Sequence, residues 1–461
     1  MGLLPRAEME SIMSDFIQEG GEHEIDTWRR YLNYGANAGD ERFLLALRSF
    51  LDRRTKDDDM GDSAKQNVLE RELFITNGVS HGLELLCATL TQPGDEVWVE
   101  RPTYFLAPKI FESNGIIVKP LPMMSDRSEF EGNKGDCIGC IDIDRLICMV
   151  EEEGVPAPKM IYIIPAAHNP TGRWMTVEER RKLASFACRN GIYLLADEVY
   201  HLLDWVQSES VENHYLQTHL RQSSDHKETQ RPAGIVHFND ICNNSTQDAS
   251  IHGNLRDTKS EERNITGCCI SVSSFTKIWA PGIRLGWIDA PSYIIHQLKQ
   301  YGYIDSQGGV APLMGRMMTH AIEFRLLDSY LDKLIGEYSE RYELVSNLLK
   351  EEPRIAILSR DSPVKRQGGY FIWVQFPTGV NGDEFLSYCM ENYGVKFMSG
   401  DKCDPFASTK MYAETSGKSI RSCARLCYAD LDREYLISAT KAFLVAFRSY
   451  MAKHDNSKPT T

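Results

Sequence analysis

No apolar run in this 461-residue chain approaches the ~18 residues that a membrane-spanning helix needs. The opening residues, MGLLPRAEME, carry acids where a secretory leader needs an apolar stretch, and Arg6 breaks the N-myristoylation pattern. A cytosolic protein is expected, with no membrane partner. An excess of cations is missing as well. Lys and Arg total 51 against 65 Asp and Glu, a formal charge of −14, and no cationic cluster stands ready to neutralise phosphates. Nucleic acid is not an expected partner.

The 12 cysteines lack the spacing of a secreted disulfide framework, and several sit inside apolar segments where cysteine behaves as a small hydrophobe. Cys137 and Cys140 form a single CxxC with no second pair and no nearby histidine, so reduced thiols in a loop are expected there, and no metal site. What is present is ordinary globular composition, 42% hydrophobic and 25% charged, in a length that suits two or three domains.

From Glu72 to about Trp205 short apolar runs alternate with helical patterns, the signature of βαβ units on a mainly parallel sheet. Met160 to Ile164 is a continuous apolar run, as in a strand buried on both faces, and leads into the turn-rich Pro165 to Gly172. Thr176 and Glu179 form a capping box, Asn190-Gly191 closes the helix, and Ile192 to Ala196 supplies the next strand, followed by Asp197. Right-handed crossovers place Asn169 and Asp197 beyond the carboxyl edge of one sheet, where open α/β folds bind ligands. A second unit runs from Leu73 to Thr76, turns at Asn77-Gly78, and enters a helix whose free N–H groups near Val79, Ser80 and His81 offer a phosphate cradle.

Residues 207–266 are rich in Ser, Asn, Gln, Asp and His and read as a solvated insertion, with Gly234 to Phe238 as a short strand. Structure resumes at Cys268 to Val272, which leads into Ser273-Ser274-Phe275-Thr276-Lys277. Beyond about Gln307 come longer helices, a hairpin-like Gly369 to Val374, and a final strand and helix. The fold class is therefore α/β: a large domain over residues 31–306, its mainly parallel sheet sandwiched by helices, and a smaller α+β domain formed by 1–30 and 307–461.

Four separated segments, His168-Asn169-Pro170-Thr171-Gly172, Asp197-Glu198-Val199-Tyr200, Ser274-Phe275-Thr276-Lys277 with Arg284, and Ala424-Arg425-Leu426, occur in an order that resembles fold type I pyridoxal-phosphate enzymes of the aspartate aminotransferase superfamily. The resemblance runs from about Leu4 to Phe447 and looks closest to the 2-aminoadipate and aromatic aminotransferase-like branch. It implies pyridoxal 5'-phosphate as cofactor, an L-amino acid and a 2-oxo acid as substrates, and a homodimer.

Pyridoxal phosphate acts as an electron sink, so a protein must supply an amine, a partner for the pyridine nitrogen, donors to the phenolic oxygen and a phosphate cup. The resemblance assigns Lys277 as the Schiff-base lysine and proton carrier, and Asp197 as the carboxylate at the ring nitrogen. Asn169 and Tyr200 are the phenolic-oxygen donors and Tyr104 is the stacking ring. Gly78, Val79, Ser80, Ser274 and Arg284 are the phosphate ligands. Arg425 is the substrate-carboxylate ligand beside Asn169, a role for which a guanidinium fork is suited. Arg421, placed on the same strand face by the two-residue period, is its competitor. Tyr34 matches a tyrosine that reaches the phosphate of the partner subunit.

Three departures stand out. Val79 occupies a position where relatives often carry a hydroxyl, and the 207–266 insertion lengthens the link between Asp197 and Lys277. The residues that precede Leu3-Leu4-Pro5 are fewer than in relatives, where such a stretch covers the substrate, so weakened substrate steps are expected. A carbon–sulfur or aminocyclopropane-carboxylate-type lyase is the alternative reaction, and a non-catalytic cofactor-binding regulator the alternative class.

Overall fold

The computed structural model describes residues 3–18, 32–55, 71–124, 139–206, 233–239, 267–360, 364–407 and 420–455. Its main sheet is built from β1 (Arg71–Thr76), β2 (Glu96–Val99), β3 (Ile117–Pro120), β4 (Met160–Ile163) and β5 (Tyr193–Asp197). After a short β6 (Asp204–Val206) come β7 (Cys269–Ser274) and β8 (Gly286–Pro291). The spatial order is β1-β8-β7-β5-β4-β2-β3, with β8 antiparallel to both neighbours and the remaining pairs parallel.

Every residue of β4 is buried, as an unbroken apolar run predicts for a central strand covered on both faces. The two-residue period divides it: Met160 and Tyr162 join Leu83, Leu86, Phe111 and Leu195 on one side, Ile161 and Ile163 join Leu183, Phe186 and Leu194 on the other. Two helices supply those layers, α1 (Val79–Leu90) and α2 (Val177–Arg189). The start of α2 is the expected capping box, with Thr176 Oγ accepting from Glu179 N at 3.1 Å and Glu179 Oε2 accepting from Thr176 N at 2.8 Å.

The chain then forms the one-turn α3 (Phe275–Ile278) after β7 and the long α4 (Leu326–Leu349). A second, antiparallel sheet follows, ordered β12-β13-β11-β9, from β9 (Ala356–Ile357), β11 (Phe371–Gln375), β12 (Met398–Ser399) and β13 (Cys423–Cys427). Helix α5 (Arg433–Asp455) closes the fold. Residues 369–374 do not make the expected hairpin. The preceding strand β10 (Arg366–Gly368) pairs with β6, while β11 pairs with β13 and β9, because Gly369, at φ +71°, turns the chain from one sheet to the other.

The insertion reading needs correcting at its centre. Most of 207–266 lies outside the described residues, but Ile235–Asn239 is a 3₁₀ turn rather than a strand, and Ile235, Val236 and Phe238 are buried. Asn239 holds it against β7, accepting from Cys269 N at 2.7 Å and donating to Cys269 O at 3.0 Å. The thiol reading also changes: Cys140 and Cys188 are disulfide-bonded, whereas Cys87, Cys268, Cys269, Cys389, Cys403 and Cys423 are buried and in no disulfide. Cys137 lies outside the described residues. Among the described residues no helix is long and apolar enough to cross a membrane, and no group of His, Cys, Asp and Glu could hold a metal ion.

Candidate active site

The chain leaves β1, β4, β5 and β7 at the same edge of the main sheet, and each exit carries candidate residues. Asp197 ends β5, and its depth has a cause and a consequence. Burial pushes its carboxyl up to about 6, against the opposing effects of a hydrogen bond from Tyr162, the Val199 backbone and the charge of Lys277. Tyr162, whose hydroxyl must find a partner in an otherwise apolar strand, donates to Asp197 Oδ2 at 3.0 Å. The other oxygen, Oδ1, is buried with no hydrogen-bond partner. An unsatisfied buried acceptor is costly, and a cationic N–H is the group that would satisfy it.

Lys277 follows β7 in α3, whose first turn is capped by Ser274 Oγ accepting from Thr276 N at 3.0 Å. Its ε-nitrogen lies 5.1 Å from the Tyr370 ring centre and 5.9 Å from that of Tyr200. Burial lowers its affinity for a proton, and Asp197 acts in the opposite sense. Tyr200 is buried against Tyr370 and Phe371, and its hydroxyl is held protonated by burial.

The exit from β1 makes the cradle. Gly78 caps α1 at φ +81° with no side-chain bond to the first-turn N–H groups. A Cβ there would come within 2.7 Å of Arg284 Nη2. Arg284 donates to Asn77 O at 3.0 Å, so a guanidinium stands beside the free amides of Val79 and Ser80. Ser274, at the end of β7, donates its hydroxyl proton to Leu285 O at 2.8 Å, with the Thr276 hydroxyl 2.7 Å from its oxygen.

Arg425, on β13, reaches across from the second sheet. Its Nη1 donates to Asn169 Oδ1 at 2.7 Å, its guanidinium lies 3.9 Å from the Phe371 ring centre, and its Nε is buried without a partner. Arg421 is elsewhere: it precedes β13 in a helical turn, its side chain is 46% exposed, and it pairs with Asp401 at 3.4 Å. The two-residue period fails because the strand begins only at Cys423. Tyr104 is half-buried, with Asp197 and Arg425 as its charged neighbours. Tyr34 stands apart, 79% exposed on the single chain.

The structure thus gathers Lys277, Asp197, Tyr200, Asn169, Tyr104 and Arg425 at one sheet edge, beside the Gly78, Val79, Ser80, Ser274 and Arg284 cradle. Tyr162, Tyr370 and Phe371 were not among the sequence candidates. A lone tyrosine inside an aliphatic strand is a usable signal for Tyr162, but nothing local marks Tyr370 and Phe371.

A mainly parallel seven-stranded sheet with this site at its carboxyl edge defines a fold type I pyridoxal-phosphate enzyme. The aminotransferase class I and II family matches residues 6–443, and the chain belongs to it. It is an aminotransferase, moving the amino group of an amino acid to a 2-oxo acid. Its relatives include the 2-aminoadipate transaminase of Thermus thermophilus, 22% identical over 84% of this chain and 77% of that one. An uncharacterised aminotransferase of Saccharolobus solfataricus is 23% identical over 95% and 86%. Among solved structures, the multiple substrate aminotransferase of Thermococcus profundus superposes with a TM-score of 0.69 at 19% identity, covering 98% of this chain and 89% of its own. The kynurenine aminotransferase of Pyrococcus horikoshii gives 0.67 at 18%, covering 97% and 88%.

Proposed function

We propose that Lys277 is the lysine through which this aminotransferase works and that its amino donors carry aromatic or long apolar side chains. The observation that carries the reading is Asp197 Oδ1, buried and unpartnered at the same sheet edge as the Lys277 amine. Lys277 would hold pyridoxal phosphate covalently, Asp197 its ring-nitrogen proton, Asn169 and Tyr200 its phenolic oxygen, Tyr104 its ring face, and Gly78, Val79, Ser80, Ser274 and Arg284 its phosphate. When bound, the cofactor supplies an electron sink for negative charge at the substrate Cα.

The chain's own contributions are physical. Burial keeps the Lys277 amine nearer neutrality than an exposed lysine, so it can take the Cα proton and return it. Arg425 presents a fork to the substrate carboxylate, held in plane by Phe371 and Asn169. Tyr104, Tyr200, Tyr370 and Phe371 make the surroundings aromatic, which supports apolar donors. The exposure of Tyr34 supports a homodimer in which it reaches the partner, and the separation of the four-stranded sheet from the seven-stranded one supports the division into 31–306 and 1–30 with 307–461. A cytosolic location belongs to the same reading.

The test is to present a panel of amino acids to the pyridoxal-loaded protein and follow its visible absorbance. Fast changes with phenylalanine, tyrosine or leucine and slow ones with aspartate are expected. The reverse order would overturn the substrate class.

A further inference from the structure

Lys277 sits on a helix of only four residues, so the carbonyls at its end have no partners within the helix. The carbonyl of Lys277 itself is taken by a residue 93 positions away: Tyr370 Oη donates to it at 2.9 Å. The same tyrosine presents its ring to the ε-amine at 5.1 Å. One side chain therefore touches both ends of the lysine.

Tyr370 is itself held. Its ring meets Tyr200 at 5.4 Å and Tyr338, from α4, edge-on at 5.3 Å. Its backbone carbonyl accepts from Tyr428 N at 3.1 Å, while Tyr428 Oη donates to Gly369 O at 2.7 Å. Beyond Lys277 the support continues, with Trp279 packed edge-on against Tyr330 at 5.2 Å and Tyr330 Oη donating to Leu3 O at 2.8 Å.

We propose that Tyr370 is the positioning residue of Lys277, fixing the main chain of the lysine through its hydroxyl and the place of the ε-amine through its ring. The proposal rests on Lys277 being the working lysine. The groups facing the amine are Asp197 from β5, Tyr200 beyond it, Tyr370 before β11, and Arg425 and Cys427 from β13. Among the described residues none of the others is seen to bond the lysine backbone, and a hydroxyl donor on an orphan carbonyl is what holds a short turn in one conformation. A lysine that carries protons between two atoms gains from such fixation, because misplacement by about 1 Å costs on the order of 100-fold in rate.

The experiment compares Tyr370→Phe, which keeps the ring, with Tyr370→Leu, which removes it. In Tyr370→Phe kcat should fall about tenfold while KM for the amino donor stays within twofold. In the unloaded full chain, deuterium uptake by the peptide spanning 275–279 should quicken about tenfold, a readout that needs no cofactor. In Tyr370→Leu, which also removes the ring beside the ε-amine, kcat should fall further than in Tyr370→Phe. If Tyr370→Leu does not fold, Tyr370→Phe decides alone. Unchanged deuterium uptake in Tyr370→Phe, whether or not kcat falls, would overturn the proposal. A failure of Lys277 to be the labelled lysine would show separately, on peptide mapping.

Discussion

Tyr162 and Asp197 are joined across two neighbouring parallel strands, hydroxyl to Oδ2 at 3.0 Å, and the bond leaves Asp197 Oδ1 buried with nothing to accept. Half of the carboxylate is fixed by the fold and half waits for a donor. This asymmetry fits a residue whose charge is completed by a bound N–H.

The first prediction follows from its raised pKa. In the unloaded protein Asp197 titrates near 6 rather than its ordinary 3.8. The folded state then binds more protons than the unfolded state between those values, so this group's contribution to stability falls as pH rises through the window. The loss is roughly 3 kcal/mol at about 1.4 kcal/mol per unit. Asp197→Asn in the unloaded protein should match the parent at pH 4 and be more stable at pH 7 by thermal unfolding, while binding pyridoxal phosphate more weakly. A variant less stable than the parent at pH 7 would contradict this.

Arg425→Ala should lower kcat/KM by roughly thirtyfold to several thousandfold, because removing one member of a desolvated charge pair costs about 2 to 5 kcal/mol. Arg425→Lys should recover little, lacking both the fork and the flat face on Phe371. Arg421→Ala, at a half-exposed side chain outside β13 that pairs with Asp401, should change kinetics by less than about threefold. Steady-state rates for the three variants check the order, and a larger loss in Arg421→Ala would reassign the carboxylate ligand.

Asn239→Ala should destabilise the protein by about 2 to 4 kcal/mol, since it strips partners from the buried N–H and C=O of Cys269 at the start of the strand that leads to Lys277. Urea unfolding measures it. A midpoint unchanged from the parent would mean that 233–239 is not part of the core.

Local signals in the chain were legible and nonlocal ones were not. The Thr176–Glu179 box, the β4 run and the Asn77-Gly78 turn depend on residues a few positions apart, and all stand where the sequence puts them. Gly234 to Phe238 looked like a polar insertion's short strand because what buries it comes from Glu198, which accepts from Ile235 N at 3.1 Å, and from Cys269. Arg421 looked equivalent to Arg425 because alternation says nothing of where a strand begins. Tyr370 had no signal at all, since its partner is 93 residues away.

Reduction of the pyridoxal-loaded protein with borohydride, followed by peptide mapping, addresses the central claim most directly. The label is expected on Lys277 alone, and Lys277→Ala should lose turnover and label while still binding the cofactor through the cradle of Gly78, Ser80, Ser274 and Arg284. Label on any other lysine, or turnover surviving in Lys277→Ala, would contradict the account.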